Sequence, residues 1–298
     1  MTDTATSDDT ATSDETTNGT GRPPDTATDT AADSITGRLG ALSVLGRRSA
    51  LDPVRSGNGY VTVVLFLLVA GLFAYTQADS PQVTFSNIVG IVSMVAPFLV
   101  VVRCADALAA DRESGRVRGL LALPFSRRQV LVGTLLGRLA WFVAAAFGTL
   151  AVALAVFLAR GGVVDPTASL VGFGLLCLQL TVYVGVAVGV SAAVATTARA
   201  VVVASAVWLV TQLFWTELPV LVSYLLNGFE GATRPEWADT FVALGPLAAF
   251  ETLSTAFVQG GSVRPVLGGE PWSALVVLFV WFAAPVLFGL RRFERASL

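Results

Sequence analysis

Few residues in this chain are equipped for chemistry, and the missing types narrow the choice first. Of 298 residues none is His, and all 19 bases are Arg. Imidazole acid–base catalysis, His-ligated metal sites and Schiff-base lysines are excluded. Cys104 and Cys177 lie in apolar stretches without ligand-like spacing, so they read as small buried hydrophobes and no metal site is expected. What remains is suited to binding. Asp111, Arg112 and Glu113 stand in a row before Gly115 and Arg116, and Arg127 follows after Pro124. The row from Asp111 to Glu113 reads as the end of the second span's cytoplasmic extension. A second set, Gln179, Thr181, Thr211 and Gln212, is polar within apolar runs. Polar residues so placed pack a helix bundle or line a path through it.

The elements that position these groups are apolar and long. Hydrophobic residues make up 54% of the chain and charged ones 13%, against about a quarter charged in soluble domains. Charge-free runs cover Ser56–Ala78, Ser80–Val102, Leu139–Ala159, Pro166–Ala198, Ala200–Thr216 and Pro271–Leu290. A bilayer crossing takes about 20 apolar residues. The chain is therefore expected to be an all-α integral membrane protein with six transmembrane helices. The run from Pro166 exceeds one span, and its surplus is assigned to a loop at its start.

Arginine placement sets the expected orientation. With a cytoplasmic N-terminus, only Arg160, Arg234 and Arg264 fall outside, which the positive-inside rule favours strongly. Both termini are then cytoplasmic, in a multi-pass protein of the cell membrane. Arg138, at the start of the third span, is expected to snorkel to the cytoplasmic interface.

Flanking segments differ in kind. Residues 1–33 are rich in Thr, Asp and Ala with almost no large apolar side chain, and read as a disordered acidic tail. The abundance of acid without Lys suggests a halophilic, salt-adapted cytoplasm. The six-span body is residues 34–298. Within it, residues 34–55 form an amphipathic helix before span one, with Ile35, Leu39, Leu42 and Leu45 on one stripe. The outer segment 217–270 holds two apolar stretches interrupted by Pro219, Gly245-Pro246 and Glu251. These read as re-entrant or interfacial helices.

The cytoplasmic loop 103–138 is the most informative segment. Gly115 allows a sharp turn, Val117, Leu120 and Leu121 give a short helix an apolar face, and Pro124 ends it. Ser126 is placed to cap the next helix, whose first turn carries Arg127 and Arg128. Cations there oppose the helix dipole, so a partner or lipid headgroups are expected to supply countercharge.

With those residues in view, the loop resembles that of ABC-2 type exporter permeases, whose pattern runs E-R-E-x-G-T-L-x-x-L-L-x-x-P-V-S-R-x-x-I-L-x-G-K-x-L-G. Asp111, Arg112, Glu113, Gly115, Val117, Leu120, Leu121, Pro124, Ser126, Arg127, Gly133 and Gly137 fit it; Arg116, Phe125 and Thr134 depart from it. The resemblance implies that residues 34–298 are a permease domain, a half-transporter that pairs with a second permease copy or a paralogue. It also implies an ABC ATP-binding subunit docked on a coupling helix near Arg116–Leu123. The chain has no G-x-x-x-x-G-K-[ST] loop, so ATP and Mg would be bound by that partner, and the chain itself is not expected to be an enzyme. Membrane lipid is the other expected partner, and nucleic acid is not one. Two other readings stay open: a secondary carrier, or a membrane scaffold that anchors a cytoplasmic partner without transport.

Overall fold

The computed structural model describes residues 26–80, 82–116, 125–229, 231, 233–259 and 271–295. It divides into two units at Arg38. The first contributes a helical backbone over residues 26–38. The second, Leu39–Leu298, holds the membrane helices.

Eleven helices make up the described part: α1 Thr26–Arg55, α2 Asn58–Gln77, α3 Phe85–Cys104, α4 Ala109–Glu113, α5 Arg127–Ala159, α6 Pro166–Ala193, α7 Thr197–Leu209, α8 Leu218–Leu226, α9 Ala238–Ala243, α10 Pro246–Ser254 and α11 Trp272–Arg295. α7 continues as a π-helical turn, Val210–Phe214, and α10 as another, Thr255–Gln259. α1 starts eight residues ahead of the expected Ser34. Ala27, Ala31 and Ala32 favour the helix, and extending a helix costs far less than nucleating one.

Six helices are long and apolar enough to cross a membrane: Gly59–Gln77, Phe85–Glu113, Arg127–Ala159, Pro166–Ala193, Thr197–Phe214 and Trp272–Arg295. The apolar stretches of residues 217–270 add no seventh among the described residues, because Gly245-Pro246 divides α9 from α10 and neither half is long enough. α6 is the central helix, 67% buried inside the chain, whereas the Thr197–Phe214 helix is 17% buried.

One boundary expectation is overturned. The surplus of the fourth charge-free run lies at its end, and α6 begins on Pro166 itself. Pro fits the first helical position because no N–H is needed there, and the Asp165 carboxylate accepts the Ala168 N–H at 3.0 Å. The chain breaks at Val194–Thr196 and restarts as α7.

Glycines set the closest approaches. A Cβ at Gly133 or Gly137 would strike Leu45, Gly46 and Ser49 of α1, and one at Gly189 would strike the backbone at Pro285 of α11. The small-residue pairs thus serve packing within the chain. They also cover Leu45 of the amphipathic stripe with protein, leaving it 6% exposed.

α5, at 33 residues, is roughly 50 Å long at 1.5 Å per residue, against a hydrocarbon core of about 30 Å. The excess at its N-terminal end carries Arg127 and Arg128 into an arginine-rich end of the bundle. At the opposite end Arg160 pairs with Asp79 at 2.5 Å and lies over the Tyr75 ring. There Trp215 stacks on Phe241 at 4.6 Å, and Trp281 Nε1 donates to the Leu244 carbonyl at 2.9 Å. These contacts hold α9 and the turn after it against the continuation of α7 and the middle of α11.

Candidate functional site

The arginine-rich end assembles most of the residues singled out in the loop. After α3 the chain turns at Ala105–Leu108 and re-enters a helix as α4. Two backbone donors of that entry, the N–H groups of Leu108 and Ala109, both reach the buried Ser191 hydroxyl on α6, at 3.0 and 3.1 Å. Ser191 therefore fixes the direction of α4. Gly115 follows at φ +72°, in the left-handed region that reverses the chain.

α4 then presents its charged row to other helices. Arg112 Nη1 donates to the Val194 carbonyl at 2.8 Å, and its guanidinium lies 4.6 Å over the Phe293 ring of α11. The Glu113 carboxylate accepts the Thr197 N–H at 3.1 Å and the Thr197 hydroxyl at 2.7 Å. That satisfies an orphan donor at the start of α7. Asp111 sits 3.7 Å from Arg116, whose Nε donates to the Ser114 hydroxyl at 3.1 Å. The row thus clasps the break between α6 and α7.

α5 closes the clasp from the other side. Ser126 and Gln129 form a reciprocal cap: Gln129 N–H donates to Ser126 Oγ at 3.2 Å, and Ser126 N–H to Gln129 Oε1 at 2.8 Å. Arg127 Nη1 donates to the Phe293 and Glu294 carbonyls at 2.6 and 3.0 Å. Arg128 Nε meets the Glu294 carboxylate at 2.6 Å. The countercharge expected from a partner or lipid is thus supplied within the chain. The exposed carbonyls at the end of α11 carry the negative end of its dipole and offset the cations at the start of α5.

Between the flanks Gly115 and Ser126, the apolar residues Val117, Leu120 and Leu121 and the stop Pro124 lie outside the described residues. Their anchors are defined: a left-handed turn on one side and a capped helix on the other.

The second polar set does not join this site. Gln179 is 3% and Thr211 2% exposed. The Thr181 and Thr211 hydroxyls donate to carbonyls of their own helices, Cys177 at 2.8 Å and Val207 at 2.9 Å. Gln212 is half-buried beside Thr211 in the π turn. Any path along Gln179 and Thr211 would run inside one chain's bundle.

Sequence reasoning missed Ser191, Thr197, Phe293 and Glu294. Glu294 carried a signal, being the acid set among Arg291, Arg292 and Arg295. Ser191 carried none, since a serine in an apolar helix is ordinary until its neighbour is known.

Comparison with known proteins agrees with this architecture. The family described as ABC-2 family transporter protein matches residues 29–298. A probable ABC transporter permease protein, NosY, of Stutzerimonas stutzeri is 26% identical over 273 residues, which cover 84% of this chain and 97% of that relative.

Proposed function

The chain belongs to the ABC-2 family of transporter proteins, and from that premise we propose that it is the membrane-spanning permease subunit of an ATP-driven exporter. ATP, with Mg, is bound and hydrolysed by a separate ATP-binding subunit. A second permease copy or a paralogue completes the transporter in the cell membrane. The observation that carries this reading is the bracing of the two flanks, α4 up to Gly115 and α5 from its cap Ser126. α4 and α5 are tied to α6, α7 and α11 by Ser191, Arg112, Glu113, Arg127 and Arg128. A push on the intervening residues 116–125 is then delivered to four long helices together. The coupling role of Val117, Leu120 and Leu121 rests on the loop's resemblance and on the bracing of its two flanks. Arginines concentrated at the same end support cytoplasmic termini.

The test is co-purification from the native membrane in high salt. An ATP-binding subunit at near-equal amount is the expected companion, and the double substitution Leu120→Asp, Leu121→Asp is expected to release it without preventing membrane insertion. Unchanged co-purification by that variant overturns the coupling assignment. A wild-type chain that emerges alone favours a carrier or scaffold. For orientation, Ser80→Cys and Ser262→Cys are expected to react with an impermeant thiol reagent in sealed cells, and Ser114→Cys is not.

A further inference from the structure

A cleft of about 380 Å³ opens between the end of α1, the start of α2, the end of α3, α4 and the first half of α5. Arg55, Arg103 and Arg138 line it, with Asp52 and Asp106. None of these three arginines has an ion pair or hydrogen bond among the described residues, although both carboxylates border the same space. Arg138 Nε is buried without a partner. Asp111 and Arg116, also on the lining, pair with each other. The lining thus holds four arginines against three carboxylates, an excess of one positive charge. Guanidinium groups recognise phosphate through paired N–H···O bonds, so arginines lining one cleft suit that anion.

The depth of the cleft sets the rest of the ligand. Arg138 is the twelfth residue of α5, roughly 16 Å from its start. The charge-free run of this span starts at Leu139, directly after Arg138, which sets the guanidinium at the headgroup boundary. Trp141, Phe142 and Val102 border the same cleft and give it an apolar wall, and Trp is the residue that settles at such boundaries. We propose that this cleft binds the phosphate of an anionic amphiphile whose apolar tail stays in the bilayer. The site is independent of the transport reading, since binding requires no ATP-binding subunit.

The test uses the full chain in mild detergent, titrated with phosphatidylglycerol, phosphatidylcholine or inorganic phosphate and followed by native mass spectrometry. Phosphatidylglycerol is expected to fill one saturable site at least about tenfold more tightly than either alternative. The double variant Arg103→Gln, Arg138→Gln is expected to lose about tenfold in that affinity. Asp106→Asn, which removes a competing carboxylate from the rim, is expected to gain about threefold and keeps the test decisive if the double variant fails to fold. Equal binding of the two lipids, or unchanged affinity in both variants, overturns the proposal. Inorganic phosphate binding as tightly as the lipid overturns the amphiphile and leaves a free-anion site.

Discussion

Two groups of arginines share one end of this molecule and live differently. Arg112, Arg127 and Arg128 end on the Val194, Phe293 and Glu294 carbonyls and on the Glu294 carboxylate. Arg55, Arg103 and Arg138 line a cleft and make no ion pair or hydrogen bond among the described residues. The same residue type thus serves as a clasp in one region and as the lining of a cleft in the other. The basic charge at this end is therefore not uniform.

Substitutions can separate the two groups. The largest effect is expected at the clasp's buried hinge. Ser191→Val leaves the Leu108 and Ala109 N–H groups unpartnered in the interior, which costs about 2–4 kcal/mol. Thermal unfolding in detergent should show a clear fall in Tm, and an unchanged Tm would remove Ser191 from the clasp. Next is Arg112→Gln, which gives up a charge-assisted bond and the contact with Phe293, for about 1–3 kcal/mol. Its loss should persist in molar salt because the group is half-buried.

Arg128→Gln removes an exposed pair with Glu294. A small destabilisation is expected at low ionic strength and none in molar salt, as screening predicts. The smallest effect on folding is expected in the cleft: Arg103→Gln with Arg138→Gln should leave stability within about 0.5 kcal/mol, because no folded-state partner is lost. A large fall in Tm for that pair would erase the distinction between clasp and cleft.

Much of the architecture is legible along the chain. Asp165-Pro166 marks a helix start once the fixed φ of proline and the capping carboxylate are weighed together, yet the length of the following run alone points to a loop there. Ser126 reads correctly as a cap because capping is local, and Gln129 completes it three residues on. Arg127 and Arg128 read correctly as cations misplaced on a helix dipole. Local sequence points outside the chain for their remedy, because the compensating residues lie 166 positions away.

Residue order alone is enough to specify six long apolar helices with most of the arginines at one end. Crossing a bilayer depends on the length of charge-free segments, and that is a one-dimensional property. Composition is likewise enough to remove imidazole and lysine chemistry. Which arginines are engaged and which are free is settled in three dimensions. Guanidinium pairing is a matter of a few ångströms between helix ends, and the partners of Arg112 and Arg127 are brought there by the packing of α6 and α11, where Gly189 lets the two backbones touch.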